Sequence, residues 1–305
     1  MSIKTIKPIQ RVKGELQFAG DKSVSHRAVI FAAMAEGESV IRNQSLSADV
    51  ESSIRCLEAL GAKFEKKDEA LLVTGVGPKG FKKSKGVLDA GNSGTTARLL
   101  TGLLAAQNFQ TTLTGDESLQ KRPMERVAEP LSKLGAKITL TEEKFVPMTV
   151  KKGKLKGGEI TLEVASAQVK SALILAGLHL EEGELKIIDP FETRNHTEEM
   201  LGIERVEGEN GKVLTVSKVH YPKPGEFVIP GDISSAMFFI VLALIAGDYL
   251  RIKNLLLSPE RIAAIDILKR MGAHIEIDRE ETGNCGRWGD IFVKRSDLIN
   301  TEIFP

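Results

Sequence analysis

Four segments of this chain share one layout, and that repetition limits the fold more than any other feature. The first opens at Gly20–Arg27 (GDKSVSHR), runs into an apolar stretch and reaches Leu60–Lys63 (LGAK). The second opens at Gly91–Arg98 (GNSGTTAR) and reaches Leu134–Lys137 (LGAK). The third opens near Ala165–Gln168 (ASAQ) and reaches Leu201–Ile203 (LGI). The fourth opens at Gly231–Ser235 (GDISS) and reaches Met271–His274 (MGAH). Gly61, Gly135, Gly202 and Gly272 thus recur about every 70 residues, a period longer than that of solenoid repeats, so each unit is expected to fold as a small α/β module.

Within a unit, small and polar residues open a helix whose body is almost wholly apolar, such as Ala28–Ala35 or Leu173–Leu178. A helix apolar on all sides belongs in a core. A short strand is expected next, at 39–42, 111–114, 184–188 and 249–252, and then a second, amphipathic helix. In the fourth unit Ser258 reads as the cap of that helix, Pro259 as its first turn and Gly272 as its end. Strands such as 137–140 and 274–277 close the unit. The order β, α, β, α, β, β predicts sheets packed around central buried helices.

Composition narrows the partners. Lys and Arg number 42 against 41 Asp and Glu, so no global basic field draws the chain to nucleic acid or anionic lipid. Cys56 and Cys285 form no paired motif, which suits a reducing cytoplasm and argues against a disulfide scaffold or a zinc site. Residues 1–17 lack the apolar core of a signal peptide. The longest apolar run, Ala236–Ala246, is too short to span a membrane and reads as a buried helix. His26, His179, His196, His220 and His274 show no metal-ligand spacing, so no metal is expected.

Anion binding must therefore come from local clusters. The small-residue openings leave backbone N–H groups free at helix N-termini, where anions are favoured. Lys22, Ser23 and Arg27 surround the first such end, supplying a point charge, a hydroxyl and a planar fork suited to phosphate or carboxylate. In the second unit Asn92, Gly94 and Thr95 repeat the arrangement, and Gly94 lets a ligand approach the backbone closely. Each cluster taken alone reads equally well as a capped helix with solvated charges. Gly115–Met124 (GDESLQKRPM) reads as a surface loop in which Lys121 and Arg122 precede Pro123. Ser166, Ala167 and Gln168 open a third helix, and Thr193–Glu198 (TRNHTE) a further one, with Arg194 just before it.

These segments together resemble the signature motifs of the EPSP synthase family: Gly20–Arg27, Leu88–Arg98 (LDAGNSGTTAR), Gly115–Met124 and Ser166–Ala172 (SAQVKSA), in family order and spacing. The resemblance implies an α/β, two-lobed enolpyruvyl transferase fold, an inverted α/β barrel of βαβαββ repeats with four of six repeats present. It implies a complete upper lobe of three repeats at 20–229, and a partial lower lobe from 1–19 and 230–305. A family member has about 430 residues, so the chain is expected to be C-terminally truncated. The family's acid–base carboxylates are expected after Pro305, and the chain to be inactive alone. The implied reaction moves the enolpyruvyl group of phosphoenolpyruvate onto the 5-hydroxyl of shikimate 3-phosphate, by addition and then elimination of phosphate, in the cytoplasm. It implies no cofactor, no nucleic acid and no membrane. Full-length members are expected to be monomers, with self-association open to a shorter chain.

Carried over residue by residue, Lys22 is the catalytic candidate and would touch both substrates. Ser23, Arg27, Ser166, Ala167, Gln168 and Arg194 would hold shikimate 3-phosphate. Asn92, Gly94, Thr95, Arg122 and Gln168 would hold phosphoenolpyruvate or lie beside it. Gly94 is also where the herbicide glyphosate, a competitor of phosphoenolpyruvate in this family, would meet the protein. The nearest alternative, UDP-N-acetylglucosamine enolpyruvyl transferase, usually carries a reactive Cys in the loop corresponding to Gly115–Arg122, and this loop has none. A second alternative is a non-catalytic chain that only binds shikimate 3-phosphate.

Overall fold

The computed structural model describes Thr5 and residues 11–303. Part of the expected lower-lobe segment 1–19, part of the signal-peptide reading of 1–17 and the last two residues lie outside them. The chain divides into two compact units, one formed by Lys22–Ile229 and the other by Met1–Asp21 with Pro230–Pro305.

The first strand, β1 (Val12–Gln17), belongs to the second of these. The first repeat then runs α1 (Lys22–Met34), β2 (Glu36–Arg42), α2 (Ala48–Ala59), β3 (Lys63–Lys67) and β4 (Ala70–Val76). The second runs β5 (Leu88–Asp89), α3 (Gly94–Ala105), β6 (Thr111–Thr114), α4 (Glu125–Lys133), β7 (Lys137–Thr141) and β8 (Phe145–Lys151). The third runs β9 (Gly158–Thr161), α5 (Ala167–Gly177), β10 (Leu185–Asp189), α6 (His196–Leu201), β11 (Arg205–Gly208) and β12 (Gly211–Val216). The fourth comprises β13 (Glu226–Val228), α7 (Ile233–Ala246), β14 (Gly247–Leu256), α8 (Pro259–Arg270), β15 (His274–Gly283) and β16 (Gly286–Lys294).

Each repeat contributes one four-stranded sheet with the same internal order. The second sheet reads β5-β6-β8-β7 and the third β9-β10-β12-β11, with a parallel first pair and antiparallel pairs after it. The first and fourth repeats exchange their opening strands. β13 pairs in parallel with β2, and β1 pairs in parallel with β14. This exchange closes the sheet of the first repeat with a strand more than 180 residues away, and it is why one unit is contiguous and the other is built from both ends of the chain.

The apolar openings behave as their composition requires. In α1 every residue from Val24 to Met34 is buried, and in α5 every residue from Val169 to Gly177. Gly102 marks where α3 and α5 cross. A Cβ there would lie 2.0 Å from the Ala172 carbonyl oxygen, so only glycine lets the two backbones approach this closely.

Two sequence expectations need correction. α7 is not fully buried. It packs Ile233, Ala236, Ile240, Ala243 and Leu244 inward but leaves Phe238 80% exposed and Ile245 59% exposed. Its sequence is apolar on every face, whereas the elements around it in its own unit cover only one. Ser258 occupies the cap position of α8, yet its buried hydroxyl makes no capping bond. The first turn closes through backbone instead, with the Ser258 carbonyl accepting from the Arg261 and Ile262 amides.

Candidate functional site

All the residues singled out as ligand contacts lie within Lys22–Ile229, most of them at the N-termini of α1, α3 and α5. Local chemistry builds these ends. Ser93 caps α3 by accepting from the Thr96 amide at 3.0 Å. Ser166 caps α5 by accepting from the Val169 amide at 3.3 Å, so its hydroxyl is already engaged with its own helix. Each end leaves first-turn N–H groups pointing outward, with a positive dipole end behind them.

The tertiary fold joins the second and third openings. The Gln168 side chain at the start of α5 donates through Nε2 to Thr95 Oγ1 at 2.8 Å, and its Oε1 accepts from Arg98 Nη1 at 2.8 Å. Arg98 also donates to the Pro123 carbonyl at 3.2 Å, which ties the loop carrying Arg122 to the same cluster. Arg122 donates to Asn92 Oδ1 at 2.7 Å and to Ser118 Oγ at 3.2 Å. Asn92 in turn donates to Asp116 at 2.8 Å, and that bond, with one from the Leu119 amide, holds the Asp116 carboxyl below its ordinary pKa. Gly94 faces both guanidinium groups. A Cβ on it would stand 2.7 Å from Arg98 Nη1 and 3.5 Å from Arg122 Nη1. Burial lowers the Arg98 pKa, and Arg126 and Arg122 lower it further, as expected where like charges converge.

The first opening joins the others through buried polar contacts. Lys22 Nζ donates to Asp49 Oδ2 at 2.9 Å, with both side chains partly exposed. Asp49 lies in the first turn of α2, whose cap is Ser47. Beneath this pair, His26 Nδ1 lies 2.8 Å from Ser53 Oγ, and Ser53 lies 2.8 Å from Thr96 Oγ1. Thr96 donates to Ser93 Oγ at 2.8 Å and approaches the Asp49 carbonyl at 3.2 Å. One buried polar chain therefore links α1, α2 and α3. Burial pushes the His26 pKa down to about 3; Asp49 opposes the shift, and Arg27 and Lys22 add to it.

Arg27 is buried, and all three guanidinium nitrogens donate to protein. Nε donates to Thr197 Oγ1 at 2.7 Å, Nη1 to the Ser23 carbonyl at 2.8 Å and Nη2 to Ser171 Oγ at 2.8 Å. Arg194 stands exposed just before α6. Among the described residues no hydrogen bond joins it to the other expected contacts. Sequence reasoning missed Asp49, Arg98, Ser171 and Thr197 as members of these groups. Arg98 closes the GNSGTTAR segment one helical turn after Gly94, and that spacing was the available signal. Among the described residues no group of His, Cys, Asp and Glu has the makings of a metal site, and no helix is long and apolar enough to cross a membrane.

The family model for EPSP synthase (3-phosphoshikimate 1-carboxyvinyltransferase) matches residues 6–295. The chain belongs to the EPSP synthase family. Relatives include the 3-phosphoshikimate 1-carboxyvinyltransferase of Bacillus licheniformis, 44% identical over 298 residues, which are 97% of this chain and 69% of that protein. The enzyme of the same name from Thermoanaerobacter sp. strain X514 is 44% identical over 98% of this chain and 70% of its own length. A solved structure of EPSP synthase from Acinetobacter baumannii superposes with a TM-score of 0.85 at 38% identity, over 93% of this chain and 64% of that one. The two-lobed enolpyruvyl transferase fold is therefore the fold of this EPSP synthase family chain, which spans about two thirds of the length of the relatives it matches. The UDP-N-acetylglucosamine enolpyruvyl transferase alternative is not favoured.

Proposed function

We propose that this chain belongs to an enzyme that transfers the enolpyruvyl group from phosphoenolpyruvate to shikimate 3-phosphate, that Lys22–Ile229 is the three-repeat lobe carrying most of the substrate contacts, and that the chain binds substrate but is inactive alone. The observation that carries the reading is the convergence of Gln168, Thr95, Arg98 and Gly94 at two helix N-termini, with Arg122 alongside. Both substrates are polyanions, and preorganised donors and fixed dipoles stabilise such charge without reorganising during reaction. In this reading Gly94, Thr95, Asn92, Arg122 and Gln168 receive phosphoenolpyruvate. Ser23, Arg27, Ser166, Ala167, Gln168 and Arg194 receive shikimate 3-phosphate, and Lys22 touches both. Asp49 holds the Lys22 ammonium in place until substrate arrives. Residues 12–21 and 230–303 belong, on this reading, to the second lobe. No cofactor is required by the reaction so drawn. A cytoplasmic site of action agrees with two buried, unpaired cysteines.

Calorimetric titration with shikimate 3-phosphate tests the proposal directly. The protein should bind it, and Arg27→Ala should weaken binding by about 1.5–3 kcal/mol, the range for a hydrogen bond to a charged group. Phosphoenolpyruvate should bind more tightly once shikimate 3-phosphate is present. A folded protein that ignores shikimate 3-phosphate, or that binds UDP-N-acetylglucosamine instead, would sink the reading.

A further inference from the structure

The most enclosed charges in the Lys22–Ile229 unit belong to none of the groups assigned above. Lys170 is 0% exposed, and Asp189 and Glu198 are 1% exposed. Lys170 Nζ donates to Asp189 Oδ2 at 2.8 Å and to the Thr193 carbonyl at 2.9 Å, and it lies 2.7 Å from Glu198 Oε1. Two of the three ammonium protons are thus used in hydrogen bonds, and Glu198 adds a close opposite charge rather than a third hydrogen bond. Apolar side chains in place of the whole triad could fill the same volume without the desolvation that burying these charges costs, whereas losing the lysine alone would leave two buried carboxylates unpaired, so stability alone does not explain why the triad is charged.

What the ammonium does hold is one short segment. Asp189 ends β10, and the turn after it winds around that carboxylate. Its Oδ1 accepts from the Phe191 amide at 3.1 Å, and its Oδ2 from the Thr193 amide at 2.9 Å and the Thr193 hydroxyl at 2.8 Å. Burial acts to raise the Asp189 pKa, and the bonds from Lys170 and Thr193 outweigh it, so the group lies below its ordinary value and stays ionised. Lys170 then grips the Thr193 carbonyl, the peptide group leading into exposed Arg194. On α6, Glu198 faces Lys170, while Thr197 Oγ1 sits 2.6 Å from Ser171 Oγ and accepts from Arg27. Two adjacent residues of α5 thereby fix the segment that carries Arg194 and Thr197.

We propose that Lys170 is a positioning residue that sets Arg194 and Thr197, and through Thr197 the guanidinium of Arg27, at the anion site. Its consequence for ligand rests on the shikimate 3-phosphate reading; its consequence for the segment does not. The test uses Lys170→Met, together with Lys170→Met/Glu198→Gln, which removes one buried carboxylate with the lysine and so avoids leaving two facing each other. Two readouts need no ligand: trypsin cleavage after Arg194, and hydrogen exchange at the Phe191 and Thr193 amides. Both should speed up about tenfold or more in the double variant while the rest of the unit keeps its protection. Unchanged cleavage and exchange in the folded double variant would overturn the proposal.

The ligand arm is a cycle. The double variant should bind shikimate 3-phosphate about tenfold more weakly than the parent, the kind of loss that follows displacement of a positioned group. In a background of Arg194→Ala and Thr197→Val, the same two substitutions should change affinity less than about twofold. Equal losses in both backgrounds would show that Lys170 acts otherwise and overturn the proposal. A parent that binds no shikimate 3-phosphate overturns the substrate reading, and cleavage and exchange still decide whether Lys170 sets the segment.

Discussion

Arg98 Nη1 donates to Gln168 Oε1 across 2.8 Å and so ties the first turn of α5 to α3. The same nitrogen is what a methyl group on Gly94 would meet at 2.7 Å. Gly94→Ala is therefore expected to push the Arg98 guanidinium aside and loosen Gln168. Overpacking of this kind costs about 1–3 kcal/mol. Titration of glyphosate and of phosphoenolpyruvate, each with shikimate 3-phosphate present, should show weaker binding of both, with glyphosate the more affected. Equal affinities in the two proteins would refute it.

His26 should make stability fall in mild acid. Its folded pKa of about 3 lies below the unfolded value of 6.5, so the unfolded chain binds the extra proton between those limits. The sign follows: the stability held by the neutral ring is fully present above pH 6.5 and declines as pH drops towards 3. The decline is up to about 1.4 kcal/mol per pH unit, and about 1.6 kcal/mol between pH 6.5 and pH 5, since the unfolded ring is already half protonated at the upper value. Urea unfolding at those two pH values should show a smaller drop in His26→Gln than in the parent. Parallel pH dependence in the two would remove His26 as the cause.

Both thiols should be inert in the folded protein. Burial pushes Cys56 and Cys285 up to about 12, with Asp89 adding to the effect at Cys56 and Arg55 opposing it. The thiolate is the reactive form, so a disulfide reagent at pH 8 should label neither residue until denaturant is added. Rapid labelling of either cysteine under native conditions would show that its surroundings open far more readily than the packing suggests.

The outer face of α7 should behave as an apolar patch. Phe238 is 80% exposed, Ile245 59%, Phe239 40% and Val241 39%. Contiguous apolar surface of this kind binds hydrophobic dyes and promotes association. Dye fluorescence and concentration-dependent sedimentation should both fall in Phe238→Asp, while the melting temperature changes little because the side chain is exposed. An unaltered dye signal would place the binding elsewhere.

The sequence by itself determined the local features. Ser93 and Ser166 cap their helices with side-chain bonds to backbone three residues on, so four-residue windows contain the whole interaction. The apolar bodies of α1 and α5 contain their own burial signal, because a helix without a polar face has only an interior to occupy. The same rule misjudged α7, since periodicity registers an apolar face but not whether anything covers it. Tertiary structure alone decided the pairings between repeats. The exchange of β1 and β13 depends on strands that lie beside partners remote in the chain. The Arg98–Gln168 bond spans 70 residues, and the His26–Ser53–Thr96 chain crosses three helices. Lys170 in its motif looked like any charged residue in the first turns of a helix. Its burial with Asp189 and Glu198 became visible only when β10 and α6 were folded against α5, because the cost of burying a charge is set by the groups that surround it in space.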